Sequence, residues 1–153
     1  MSKKQIIFGI VIVIILGIGY YAIPPLFIHT RVDEVVPQTV QAPTSTNTDK
    51  VSEKSVSITG TQGHPASGTV KIVKVDSKTY LRYENFKTIN GPDIYVYLAK
   101  DLDAKEYVSL GKVRATEGNI NYEIPSNVNV RDYPYALTWC KTFGVLFNSA
   151  KLN

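Results

Sequence analysis

Cysteine is nearly missing from this chain: Cys140 is the single one among 153 residues. No disulfide can close within the chain, and neither a paired Cys-x-x-Cys zinc motif nor a Cys-x-x-Cys-His haem attachment can be built. Histidine is scarce too, with only His29 and His64. A Gly-x-Ser-x-Gly elbow and a His-Glu-x-x-His helix are both absent, so hydrolytic catalysis lacks its usual parts. No run of five basic residues occurs, and the net charge of +4 is spread along the chain. Nucleic-acid binders gather such charge into a patch or stripe, so nucleic acid is not an expected partner. An Asn-x-Ser/Thr acceptor for N-glycosylation is missing as well.

What is present begins with a long apolar run. Ile6 to Ile23 carries no charged side chain, and as a helix it covers roughly 27 Å, close to a hydrocarbon core of about 30 Å. Tyr20 and Tyr21 stand at one end, where aromatic rings favour the membrane interface. Pro24 and Pro25 are expected to stop the helix, since neither donates to the backbone ladder. Lys3 and Lys4 precede the run and only Arg31 follows it closely. The positive-inside rule therefore keeps the N-terminus cytoplasmic and exports everything after Pro25. A cleaved signal peptide would have a shorter apolar region ending in a small-x-small site. Tyr-Tyr-Ala-Ile-Pro-Pro is a poor context for cleavage, so an uncleaved single-pass anchor in the cell membrane is expected over 1–28. No cysteine lies near it to carry a lipid.

From His29 to Ser55 apolar residues thin out, and Pro37, Pro43 and the cluster Thr44, Ser45, Thr46, Asn47, Thr48 dominate. Such a segment buries too little surface to offset its ordering entropy. A flexible stalk is expected over 29–55, spanning roughly 25–30 Å on average.

Residues 56–153 change character again. Short runs of period two alternate with turn residues: Val56–Thr59, Thr69–Val75, Thr79–Phe86, Asp93–Ala99, Tyr107–Val113, Asn119–Ile124, Tyr135–Lys141 and Val145–Ala150. About eight short strands with polar turns, and no window of helical periodicity, predict an all-β antiparallel sandwich or barrel. A soluble portion of about 100 residues buries roughly 60–70% of its unfolded surface, workable without a metal or disulfide.

Several residues in this domain could carry chemistry. Alternation places Tyr135, Leu137, Trp139 and Lys141 on one face of their strand and Ala136, Thr138 and Cys140 on the other. Cys140 then reads either as a small core side chain or as a redox-active thiol or soft ligand to iron or copper. His64, in Gly63-His64-Pro65, reads as a solvent-exposed loop histidine, or as a partner to Cys140 in binding a metal or activating the thiol. Asn90-Gly91-Pro92-Asp93 is first of all a turn; its other reading puts the Asp93 carboxylate beside the cysteine. Trp139 with Tyr80, Tyr83, Tyr95, Tyr97, Tyr122 and Tyr135 fills the core and covers sheet faces, unless it forms an electron-hopping chain or ligand surface.

A set of motifs gives these residues a common context. Gly68-Thr69-Val70, Phe86, Gly91-Pro92-Asp93 leading into Tyr95-Val96-Tyr97-Leu98, Leu110-Gly111, Gly118, Tyr122, Ile124-Pro125, Trp139-Cys140, Phe143, Phe147 and Ala150 together resemble the electron-transfer DM-thirteen domain family, over about Ser57 to Leu152. The resemblance implies an extracytoplasmic β-sandwich with one characteristic cysteine, here Cys140. It also implies company with haem-binding or other redox modules. No cofactor is named by it; haem, a transition metal or none at all are compatible with the sequence. The leading expectation is a membrane-tethered redox or electron-transfer accessory domain centred on Cys140 and acting on a partner protein, rather than an enzyme turning over a small molecule. The alternatives are a surface binding or adhesion module with Cys140 packed inside, and a metalloenzyme using Cys140 and His64.

Overall fold

The computed structural model describes residues 2–26, 29–38 and 54–153. Helix α1 runs Lys3–Leu26, and its window Lys3–Tyr20 is long and apolar enough to cross a membrane. The two prolines do not stop it at Ile23 as expected. They lie in its last turn, where each removes one hydrogen bond, and the helix ends one residue after Pro25.

The rest is two five-stranded sheets. β1 is Arg31–Asp33, β2 Val56–Ser57, β3 Thr59–Gly60, β4 Ala66–Val75, β5 Lys78–Thr88, β6 Ile94–Ala99, β7 Tyr107–Lys112, β8 Glu117–Ile124, β9 Tyr135–Cys140 and β10 Val145–Lys151. The first sheet has the order β1-β8-β5-β4-β2 and the second β3-β10-β9-β6-β7. All pairings are antiparallel except β1 with β8, which is parallel. The expected strand over Val56–Thr59 is split. It leaves the first sheet after Ser57, passes through buried Ile58, and joins the second at Thr59. Such a crossing between sheets is how a sandwich turns its corner.

Period-two alternation sorts the strands into an inner and an outer face. Val70, Leu81, Tyr83, Ile120, Tyr122 and Ile124 from the first sheet meet Val96, Leu98, Ala136 and Ala150 from the second in one core. Each fully buried aliphatic there contributes about 1.5–3 kcal/mol. Burial raises the pKa of Tyr83, reinforced by the neighbouring Tyr122, so both remain neutral phenols at physiological pH.

The expected stalk is corrected at its first third; its middle, 39–53, lies outside the described residues. Arg31–Asp33 pairs with Glu117–Asn119, and Glu34 then grips the outer face of the first sheet. Its carboxylate accepts from Asn121 N at 2.7 Å and pairs with Arg114 at 2.8 Å. Its carbonyl accepts from Arg82 Nη1 at 3.1 Å. Arg82 is 4% exposed although it points outward, because Glu34, Asn121 and Glu84 surround its guanidinium. An apolar-poor composition predicted no structure here, yet three residues of strand pairing, the hydrogen bonds of Thr30 and Glu34 and the packing of Val32 against the core hold it in place. Close approach makes the pairing specific: a Cβ on Gly118, at φ +111°, would sit 2.0 Å from the Val32 carbonyl oxygen.

Two outcomes are expected. Gly118→Ala should cost about 2 kcal/mol or more in backbone strain and collision. It should also abolish amide-exchange protection at Glu34 while sparing the β4–β5 hairpin; unchanged protection at Glu34 would contradict the pairing. The second concerns acid. Burial alone would raise the Glu84 carboxyl, but hydrogen bonds and charge from Arg82 and Lys71 outweigh it and hold the pKa below the usual value. A depressed native pKa stabilises above the unfolded value of about 4.3 and is lost as pH falls through the native one. Urea titrations at stepped pH should therefore show a flatter acid decline for Glu84→Gln than for the wild-type chain.

Candidate functional site

Cys140 closes β9 at one end of the sandwich. Its register partners are Ile94 on β6 and Val145 on β10, and it is 1% exposed. Ile94 and Phe147 pack on it, with Ile89 and Val113 at the margin. The face assignment from alternation holds: Ala136, Thr138 and Cys140 are all buried, whereas Tyr135 and Trp139 are half-buried on the outer side.

Phe147 is the keystone of this end. Its inner side belongs to the Cys140 cluster, and the His64 ring stacks on it at 4.1 Å between centroids, 27° from parallel. His64 is held in turn by Thr61, whose Oγ1 lies 3.1 Å from Nδ1 and donates to the Leu146 carbonyl at 2.8 Å. With the hydroxyl proton directed at a carbonyl, Nδ1–H of the imidazole donates to Thr61 Oγ1, and Nε2 is left as the acceptor. His64 is therefore neither a free loop residue nor a partner in direct contact with the thiol. No hydrogen bond joins it to Cys140; its ring contact is with Phe147, a member of the Cys140 cluster.

Gly91 explains why the neighbouring turn needs its glycine. A Cβ there would meet Phe147 Cζ at 2.9 Å and Ile94 Cγ2 at 3.0 Å, so the turn lies directly on two members of the Cys140 cluster. Asn90 Oδ1 accepts from Gly91 N at 2.9 Å. Pro92 and Asp93 complete the turn into β6. The Asp93 carboxylate faces away from the cysteine, pairing with Lys112 at 3.1 Å and accepting from the Thr142 hydroxyl at 3.4 Å, while its carbonyl accepts from Lys141 N at 2.9 Å. Phe143 lies in the β9–β10 turn, 56% exposed.

Among the described residues no cluster of three or more His, Cys, Asp or Glu side chains could hold a metal ion. His64 is engaged by Phe147 and Thr61, and the Asp93 carboxylate by Lys112 and Thr142.

The aromatic residues divide into two groups. Tyr83, Phe86 and Tyr122 pack inside. Tyr95, Tyr97, Tyr135 and Trp139 form a cluster on the outer face of the second sheet with Leu137 and Leu146. Trp139 stands directly opposite Tyr95, Tyr107 stacks on Tyr97 at 4.1 Å, and Lys112 and Lys141 lie 5.7 and 5.5 Å from the centroid of the Tyr95 ring. Burial first, then the neighbouring Tyr107, pushes the Tyr97 phenol up to about 12.

One component of this end was not read from the sequence: a belt of polar residues, buried at Thr88, Thr116 and Asn148 and exposed at Thr30, that crosses both sheets. Asn148 on β10 donates to Thr88 Oγ1 at 3.1 Å, and Thr88 N donates to the Thr116 carbonyl at 2.9 Å. Thr116 N donates to the Thr30 carbonyl at 2.9 Å, and Thr30 N donates back to Thr116 Oγ1 at 3.0 Å. Its signal was present as threonines at strand ends, but nothing in their spacing shows that they meet.

No curated protein and no solved structure matches the chain. The family model described as Electron transfer DM13 does, over residues 58–152. That span takes in both sheets except β1 and β2, with Gly91, Trp139, Cys140 and Phe147 inside it. The chain thus belongs to the Electron transfer DM13 family.

Proposed function

We propose that this protein is a membrane-anchored, extracytoplasmic redox or electron-transfer accessory domain in which Cys140 is the reacting side chain and Phe147, backed by His64, is its cover. The observation that carries the reading is the construction around the thiol. The lone cysteine of a domain belonging to an electron-transfer family is buried in a small cluster with Phe147, whose ring is itself braced by a histidine. A buried structural cysteine is inert, so reaction with a partner requires Phe147 to swing out. The joint that must give is local: the His64–Phe147 stack and the Gly91 turn lying on the ring. The anchor supports the placement, since the charge pattern around α1 keeps Lys3 and Lys4 on the cytoplasmic side.

A specific observation favours a second reading. The outer face of the second sheet presents Tyr95, Tyr97, Tyr135 and Trp139, amphipathic rings of the kind enriched where proteins bind partners. In that case the domain is a surface binding module and Cys140 is core packing.

Thiol alkylation of the full chain separates the two. Under native conditions the redox reading expects slow labelling through local opening, faster than global unfolding allows. His64→Ala should quicken it roughly two- to tenfold, in line with about 0.5–1.5 kcal/mol for a ring pair. Labelling that tracks global unfolding in both proteins would leave only the binding module. A second test is functional: Cys140→Ser should abolish redox coupling to the partner while the domain stays folded, at a stability cost of about 1–3 kcal/mol for the buried hydroxyl. Full retention of that coupling would remove Cys140 from the chemistry.

A further inference from the structure

We infer that the end of the sandwich from which the anchor departs faces the bilayer, and that the β9–β10 turn at that end docks on the lipid surface through Phe143 and Val145. This rests on the anchor proposed above and adds an orientation and a contact to it.

The argument starts from chain length. α1 ends at Leu26 and Thr30 is already bound to the domain, by two backbone donors to its carbonyl, Thr116 N at 2.9 Å and Glu117 N at 3.0 Å, and by its own N–H. Four residue steps of extended chain reach at most about 14 Å. β4 and β5 contain 10 and 11 residues, so the sandwich is roughly 30 Å long at about 3.3 Å per residue. The tether therefore holds one end near the head groups and sets the opposite end about two tether lengths farther away.

Register identifies the near end. Arg31 pairs with Glu117, Glu117 with Lys87, and Lys87 with Ser67. The polar belt carries the same level across to Asn148 in the second sheet, and Thr61 N donates to the Phe147 carbonyl. The β9–β10 turn, Cys140 and His64 thus share the end from which the anchor departs.

The exposed groups at that end suit an interface. Phe143 is 56% and Val145 36% exposed, on a tight turn next to exposed Lys141. An apolar tip flanked by a lysine can bury its ring among acyl chains while the ammonium stays with the phosphates. A second apolar pair, Leu102 at 43% and Tyr107 at 45% exposed, lies beyond the Ala99 end of β6, which the antiparallel register puts opposite to Ile94 and Cys140. Its distance from the tether excludes it from the same bilayer. A consequence follows for the proposed chemistry: a partner reaching Cys140 does so at the membrane surface.

The test uses the full chain reconstituted in phosphatidylcholine–phosphatidylglycerol vesicles. Trp139, the single tryptophan, is replaced by Phe, and one reporter is introduced by Phe143→Trp or by Leu102→Trp. Flotation with the vesicles reports the anchor. Quenching by lipids brominated near the head group reports docking, expected to be several-fold stronger for the reporter at 143. Flotation with equal, weak quenching at both positions overturns the docking and keeps the anchor. Stronger quenching at 102 overturns the orientation. Failure to float overturns the anchor and the inference together.

Discussion

Parallel pairing of Arg31–Asp33 with Glu117–Asn119 is the constraint on which the rest of this structure depends. It closes an edge of the first sheet that would otherwise present unpaired backbone groups. It brings Glu34 over Arg82 and so completes the enclosure of a guanidinium already paired with Glu84. It also makes residues 30–34, which composition reads as stalk, part of the sandwich. Gly118 makes room for it, because any side chain there would overlap the Val32 carbonyl. The family match begins only at residue 58, so this edge strand is supplied from outside the matched domain.

That pairing changes how the candidate site is to be understood. A domain on a long flexible stalk would sweep the surface in all orientations. The polar belt from Thr30 through Thr116 and Thr88 to Asn148 ties one end of the domain together across both sheets, and under the proposed anchoring that end is the one nearest the bilayer. The Cys140 cluster sits just inside the belt. In the proposed reading the belt frames the ring of Phe147, which has to move for a partner to reach the thiol. Gly91 serves the same purpose, since its missing side chain lets the turn rest on Phe147.

Much of the fold was legible in the residues because its determinants are local. Period-two alternation located the strands of the domain, and it assigned Cys140 and Trp139 to opposite faces correctly. Gly68, Gly111 and Gly118, all within the motifs that carry the family resemblance, adopt φ between +109° and +111°, conformations that only glycine takes easily. What was not legible depends on contacts distant in sequence. Arg31-Val32-Asp33 is too short for alternation to register, and its partner lies 86 residues away. The split at Ile58 depends on which sheet has a free edge. Within the site, the residue types were readable but their relations were not. His64 read first as an exposed loop residue and only alternatively as a partner of Cys140; its stack on Phe147 of the Cys140 cluster could be found only in three dimensions.

The central claim is that the covered thiol of Cys140 cycles between redox states in the membrane-held protein. Its most direct test is the thiol state itself, trapped by acid in intact membranes and read by mass after labelling, under reducing and then oxidising conditions. The account predicts that Cys140 moves reversibly between free thiol and an oxidised form while the fold is retained. A thiol that stays free and reduced under both conditions would contradict it.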